Sequence, residues 1–485
     1  MIIIWKNVLF LRIVWFSKII LGAKDKTLAN CSTVSARKAQ EIISKLKNSK
    51  ELPFREILAK EEIKRAIQES MTYRERFFTP DVTLWAFLSQ VMATDQSLEA
   101  AVTRVIAEFA VNGEDTPSSN TAAYSQARSR LPESVLSQLV KNSAAQLVDS
   151  APESWLWKNR KVKLVDGSTI SMPDTPENQA LYPQSAAQEP GVGFPIARIV
   201  VVIDYTTGAV LDLAIGSYQG KETGEHALFR QLTSSLNTND ILLGDCYYPS
   251  FFVMARLIAA GIDGVFPMHG SRGCDFNQGQ QLGHQDHIVK WKRPHKPSWM
   301  EQAEYESFPQ ELTVREVEIK KQCAGFRSEA MVLVTTFLDA KTIDKTALSA
   351  LYDYRWMVEI SLREIKNIMQ MDILRGKTPE MVRKEIWVHL LAYNLIRKIM
   401  AQAAFIGDRR PRELSFKLAL QLVISFQQKA LLDETNHEIY AKLLKAITDK
   451  PIVKRPGRSE PRVVKRRPKA FPRMTKAREL YKNAA

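Results

Sequence analysis

Cysteine is scarce in this chain of 485 residues: only Cys31, Cys246, Cys274 and Cys323 occur, far apart and with no CxxC spacing. That excludes a disulfide-stapled scaffold and a zinc ribbon, and it fits a reducing cytoplasm. Long apolar runs are also missing. The nearest approach is the first 23 residues, where Lys6, Arg12 and Lys18 interrupt the apolar stretches. No run reaches the ~18 residues of a membrane span. Ala23 is followed by Lys-Asp-Lys, a poor match to a signal-peptide cleavage site. Residues 1–33 therefore read as an amphipathic or poorly ordered extension, with an interfacial membrane helix as the alternative. No membrane partner is expected, and no internal repeat is visible. Acid is in deficit too: 53 Asp and Glu face 68 Lys and Arg, for a formal charge of +15.

A chain this basic commonly binds a polyanion. Most of the excess lies in residues 450–485, where thirteen Lys and Arg face Glu460 and Glu479, a net +11. Interspersed prolines disfavour a helix there. Such a tail neutralises phosphates without reading bases, with Arg455, Lys465, Arg466 and Arg467 as its candidate DNA contacts. The rest is ordinary globular material, 45% hydrophobic and 25% charged, long enough for about three domains.

Residues 34–155 carry helical patterns, and Asp81 after Pro80 marks a helix start for 81–111. Asn112-Gly113 and a Thr/Pro/Ser/Asn stretch then break the pattern. Two more helices follow, one with Tyr124, Arg128 and Arg130 and one over 132–147. This order fits a helix-turn-helix DNA reader and equally a plain helical bundle with surface arginines.

Near residue 160 the period changes. Val162–Ile170 reads as a strand, followed by a Pro/Gly/Gln-rich loop over 172–195. Ile199–Ile203 is an unbroken β-branched run, as in a strand buried on both faces. Asp204–Gly208 is a hairpin turn and Ala209–Ile215 the return strand. A helix over 225–236, a short strand ending at Asp245, a helix closing on Gly261 and a strand over 262–266 complete the series. Three antiparallel strands, helix, strand, helix, strand is the order of an RNase H-like fold. Residues 267–330 read as a β-rich insertion, and 331–337 as a strand that returns to the main sheet. The expected fold is thus α/β (α+β): an RNase H-like mixed sheet with flanking helices, interrupted by a β-rich insertion. The divisions are 1–33 extension, 34–155 helical DNA-binding region, 156–266 and 331–404 catalytic core, 267–330 insertion, 405–449 helical region and 450–485 basic tail.

The stretch Ala350–Lys366 contains no Pro or Gly. At about 100° per residue, Leu351, Val358, Leu362, Ile365 and Met369 share one arc. Tyr352, Arg355, Glu359 and Lys366 fall beside it. The set fits two descriptions: a salt-bridged helix edge, or a site where a carboxylate holds a metal and cations hold phosphates. Position decides in favour of the second. Asp166 lies in the first strand, Asp245 ends the strand after the first helix, and Glu359 follows the insertion. Three carboxylates brought together would repel one another without a divalent metal, and an all-carboxylate set favours Mg²⁺ or Mn²⁺. Two such ions about 3.5–4 Å apart serve phosphoryl transfer. His284 and His287 flank Asp286 in an apparent loop, a weak metal signal. Ser168 and Thr169 lack a His/Asp partner for hydrolase chemistry. Trp291 and Trp299, in the insertion, suit either core packing or stacking on a flipped base.

The spacing Tyr352-x2-Arg355-x3-Glu359-x6-Lys366 resembles the YREK signature of the DDE transposases of insertion-sequence family four. Val165–Ser168, Gly244-Asp245, Leu351–Trp356 and Leu391–Ile396 resemble that family as well, and the likeness spans about residues 60–480. It implies cut-and-paste DNA transposition, with Asp166, Asp245 and Glu359 as metal-binding catalytic acids and Tyr352, Arg355 and Lys366 on phosphates. It further implies a hairpin intermediate, double-stranded element ends and target DNA as partners, a homodimer bridging two ends, and a bacterial, nucleoid-associated setting. Cys246 departs from the pattern, since many relatives place Arg directly after the second acid. The competing readings are a catalytically silent DNA-binding protein and a nuclease without strand transfer.

Overall fold

Nine strands form one mixed sheet in the computed structural model of the chain, which describes residues 60–73, 76–111, 113–321, 329–428, 437–449 and 451–452. The extension 1–33 and the tail cations Arg455, Lys465, Arg466 and Arg467 lie outside those residues. The strands are β1 Val162–Ser171, β2 Ile196–Asp204, β3 Val210–Ser217, β4 Ile241–Leu243, β5 Asp263–Pro267, β6 Gln280–Gly283, β7 Asp286–Lys292, β8 Glu311–Lys321 and β9 Glu329–Thr335. Their order across the sheet is β3-β2-β1-β4-β5-β9-β8-β7-β6. The first three are antiparallel, β4 and β5 run parallel to β1, and β9 returns antiparallel to β5. This is the RNase H-like arrangement. The insertion does not fold apart; its strands widen the same sheet through β9.

The β-branched run in β2 has a simple cause. Ile199, Val201 and Ile203 point into one core, and Val200 and Val202 into the core on the opposite face. Two-sided burial removes the polar alternation of a surface strand. At the β2–β3 turn, Asp204 accepts from Thr207 N and Oγ1 at 2.8 Å each, and from the buried Lys163 Nζ at 3.0 Å. Burial works against its charge, but Lys163 and Thr207 outweigh it and hold the carboxyl below its ordinary range. Gly208 follows at φ +83, and a Cβ there would sit 2.7 Å from Arg397 Nε. Both the backbone and the close approach demand glycine.

Helices α1 Lys60–Ser70, α2 Pro80–Met92, α3 Leu98–Val111, α4 Ala122–Arg130 and α5 Glu133–Asp149 precede the sheet. Thr79 caps α2 with Pro80 in its first turn. The single helix expected over 81–111 is split. Gln90 Nε2 donates to Gln96 O at 2.7 Å, and Gln96 Nε2 donates to Val91 O at 2.9 Å and to Met369 O at 3.3 Å, so this buried pair satisfies the broken backbone. Arg128 does not project; its guanidinium lies over the Phe87 ring at 4.8 Å and donates to Gln90 Oε1 at 3.3 Å.

Within the loop expected over 172–195 stands α6 Pro176–Leu181, capped by Thr175. The helix expected to run to 236 is shorter: α7 Glu225–Arg230, then a 3₁₀ turn at Thr233–Ser235. Next come α8 Phe251–Ala259, whose end turns at Gly261 (φ +67), and α9 Gln302–Ser307. The rest are α10 Lys345–Tyr352, α11 Trp356–Arg363, α12 Pro379–Ile406, α13 Phe416–Gln428 and α14 His437–Thr448. The 28-residue α12 is buried on almost every face. Its Asn394 accepts from Val210 N at 2.8 Å and donates to Val210 O at 2.9 Å, which pairs the outer edge of β3. One hydrophobic core joins Ile63, Leu136, Ile199, Leu391 and Leu443, so early helices, sheet and late helices pack as one body. Among the described residues no helix is long and apolar enough to cross a membrane.

Candidate active site

Asp166 and Asp245 meet through strand register. Leu164 on β1 pairs with Leu243 on the parallel β4, and each acid lies two residues further on. Asp166 Oδ1 accepts from Gly167 N at 2.9 Å, and Asp245 Oδ1 accepts from Tyr247 N at 2.9 Å. Burial, the largest influence, pushes the Asp166 carboxyl up to about 6; Asp245 and Glu225 add to it, while Arg355 and the Gly167 amide oppose.

Glu359 arrives on a helix that is not continuous. The expected single helix breaks into α10, a 3₁₀ turn Asp353–Arg355, α11 and a π turn Glu364–Ile368. The apolar arc is as expected: Leu351, Val358, Leu362, Ile365 and Met369 are all buried. The polar arc is redistributed by the breaks. Tyr352 is buried rather than on an open edge. Arg355 Nη1 donates to Glu359 Oε1 at 2.5 Å, and Nη2 lies 3.8 Å from Asp166 Oδ2. Arg355 thus bridges the first and third acids. Burial alone would lower its pKa, but Asp166, Tyr352 and Glu359 raise it. The π turn, a feature frequent at functional sites, carries Lys366 against β1. Its Nζ donates to Ser168 Oγ at 2.9 Å and to Thr169 O at 2.7 Å on β1. Ser168 therefore answers to Lys366, not to a hydrolase base.

Sequence reasoning missed Glu225. This residue opens α7, and a side chain at Gly167 would collide with its carboxyl group. Burial and then Asp245 push its pKa up. The signal in the sequence was an acid directly after Gly224 at a helix start, which reads equally well as a response to the helix dipole. Tyr248 lies beneath the group. Burial, Glu225, Asp166 and Asp245 all raise its pKa, and its hydroxyl has no hydrogen-bond partner among the described residues. Oxygen donors gathered beside one guanidinium, with an orphaned hydroxyl below, suit a hard divalent cation. Trp291 is not a stacking residue: it is buried and donates to Glu316 Oε1 at 2.8 Å. Trp299 packs beneath the Arg230 guanidinium at 3.8 Å.

Residues 157–395, the span holding all three expected acids, match the family model described as Transposase DDE domain. The chain is 28% identical over 420 residues to the transposase InsG for insertion sequence element IS4 of Escherichia coli (strain K12), covering 84% of this chain and 91% of that protein. The chain is similar to the DDE transposases of insertion-sequence family four. A shorter match, 32% over 79 residues, joins the chain to the putative transposase InsL for insertion sequence element IS186A of the same strain, covering 16% of this chain and 21% of that one. Among solved structures, a piggyBac transposase synaptic complex with hairpin DNA aligns over 86% of each chain at 11% identity and a TM-score of 0.41. DDE transposases act on DNA as polynucleotidyl transferases and generally use divalent metal ions.

Proposed function

We propose that Asp166, Asp245 and Glu359 are the catalytic acids of cut-and-paste transposition and hold Mg²⁺ or Mn²⁺, two ions per site. The observation that carries this is the register of β1 and β4, which sets Asp166 beside Asp245, together with the Arg355 bridge to Glu359. Bound ions would activate the attacking oxygen and stabilise the leaving one in each phosphoryl transfer. Asp166 sits on β1 and Asp245 just past the end of the neighbouring β4, and together they define the floor. Glu359 sits on α11 and would help hold an ion in place of its pairing with Arg355, and Arg355 would then be available to the scissile phosphate. Tyr352 stays beneath it, and Lys366 holds the neighbouring phosphate from the lip of β1.

In the first transfer a water oxygen bonds to phosphorus and the 3′-oxygen leaves, taking a proton. That 3′-hydroxyl then attacks the opposite strand, closing a hairpin and freeing flanking DNA. Water reopens the hairpin before the 3′-end joins target DNA. Element ends and target are double-stranded DNA, two protomers bridge the ends, and the tail cations Arg455, Lys465, Arg466 and Arg467 neutralise phosphates. The setting is the bacterial nucleoid, and the sequence divisions at 155, 266, 330 and 404 separate DNA-binding, core and insertion roles.

The test is cleavage of a labelled duplex carrying the element's own ends, with Mg²⁺, by wild type and Glu359→Gln. Cutting by the wild type alone, with binding by both, upholds the reading. Equal cutting would leave Glu359 as half of a structural ion pair with Arg355 and sink the assignment. Cutting without joining of a supplied target would favour a nuclease.

A further inference from the structure

Away from the acids, three side chains of different chemistry converge inside the insertion. Cys274 lies in the loop after β5, His287 on β7 and Glu316 on β8, and β7 and β8 pair His287 directly with Glu316. Cys274 Sγ is 3.8 Å from His287 Nε2 and 3.1 Å from Glu316 Oε2, and Nε2 is 3.2 Å from Oε2. His287 and Glu316 are almost wholly buried.

The hydrogen bonds around the trio fix its polarity. His287 Nδ1 donates to Gln278 O at 2.7 Å, which turns Nε2 toward the centre. Trp291 Nε1 donates to Glu316 Oε1 at 2.8 Å, leaving Oε2 free to face the centre. This is not the relay of a cysteine nucleophile. There the acid would sit on the far nitrogen of the imidazole; here sulfur and carboxylate share the same nitrogen. The arrangement matches the way metal-binding histidines and carboxylates are oriented by outer hydrogen bonds. A tetrahedral zinc ion, with bonds of about 2.0–2.3 Å, sets its ligands roughly 3.4–3.6 Å apart. The three separations need to shift by about half an ångström or less to receive one.

We propose that Cys274, His287 and Glu316 form a structural metal site that takes Zn²⁺, with water in the fourth position. The thiolate and imidazole select zinc over the hard cations that suit the carboxylate site. Burial, followed by Glu316, pushes the Cys274 thiol up to about 12, so the metal-free chain holds a thiol and binding releases its proton to solvent. The site fastens the loop after β5 to the outer strands. That loop also carries His269, whose ring lies 5.7 Å from Tyr247 beside Asp245, and Arg272, whose guanidinium lies 3.7 Å over Trp291. A zinc ion would thus hold the loop where it borders the acids.

The test uses the full chain, stripped with a chelator and titrated with Co²⁺ alone. One equivalent should bind with a thiolate-to-cobalt charge-transfer band, and Zn²⁺ should displace it. The band should vanish in Cys274→Ser and persist in Asp245→Asn. Trp291→Phe, which keeps the ring but loses the N–H, should weaken binding by about 10–100-fold. X-ray absorption on the zinc-loaded wild type needs no variant, and it should show one sulfur among nitrogen and oxygen neighbours. Absence of the band in wild type, its survival in Cys274→Ser, or a zinc shell without sulfur would each overturn the site and leave a hydrogen-bonded cluster only.

Discussion

Two buried clusters in the sheet treat charge in opposite ways. In the added half, β7 and β8 carry Asp286 and Arg315 as a bidentate pair at 2.7 and 2.6 Å, and Arg315 also donates to Ile343 O at 2.6 Å. Both members of that pair are satisfied where they stand. At Asp166 and Glu225, neighbouring carboxylates add to burial in pushing the pKa upward, against only Arg355 at the first and Arg198 at the second. Complete pairing yields shape; incomplete pairing leaves negative potential that an arriving cation can satisfy. The difference teaches that burial of charge alone does not mark a catalytic centre. The sign of what remains unpaired does.

The largest expected break falls on chemistry. Glu359→Gln or Asp245→Asn should lower cleavage of end-bearing DNA by about 10³-fold or more, roughly 4 kcal/mol of transition-state stabilisation, while binding changes little. Gel-shift and cleavage assays on the same substrate separate the two effects. The mirror experiment is Asp286→Ala in the added half. It strands Arg315 without its partner, and urea unfolding should report a loss of about 3–5 kcal/mol. Asp245→Asn should show no such loss, and the contrast between the two variants is the comparison in measurable form.

A smaller effect comes from Asp166 in the metal-free protein. Its folded value near 6 exceeds the ordinary 3.8, so the native state holds the proton more tightly than the unfolded chain does. The resulting stability is fully present below pH ~4 and is lost as pH rises through 6. Asp166→Asn should therefore stabilise the apo-protein by about 1–3 kcal/mol at pH 8 and by almost nothing at pH 4. Chelator-treated samples melted at both pH values check this, and equal effects at both would refute it.

The sheet order and two of its acids were legible because β-branched runs, an Asp-Gly strand and the short strand before Asp245 are local signals. The YREK stretch was legible as composition but not as geometry. Its residues sit on an α-helix, a 3₁₀ turn, a second helix and a π turn, so a uniform 100° per residue misplaces Tyr352 and Lys366. Lys366 is drawn to Ser168, a contact 198 positions away that no window could reveal. The return of β9 to the main sheet was read correctly, but the pairing of the insertion's β8 along it, which merges the two, was not. His287 read as a loop residue because its ligand-like neighbours, Cys274 and Glu316, come from other segments.

The finest test concerns Glu225, a carboxylate outside the signature. Its place over Gly167 and its mutual repulsion with Asp245 make it part of the same negative potential. If that potential draws in the cation, Glu225→Gln should lower the pKa of Asp166 while weakening the pull on the metal. The two changes oppose each other for proton and cation: less repulsion eases ionisation, but one negative charge fewer faces the ion. Near pH 8 Asp166 is already ionised, so only the second survives. The Mg²⁺ concentration for half-maximal cleavage should then rise about 3–10-fold, with the rate at saturating Mg²⁺ nearly restored, a free-energy change of roughly 1 kcal/mol. An unchanged Mg²⁺ dependence would make Glu225 a packing residue over Gly167 and confine the unpaired charge to Asp166, Asp245 and Glu359.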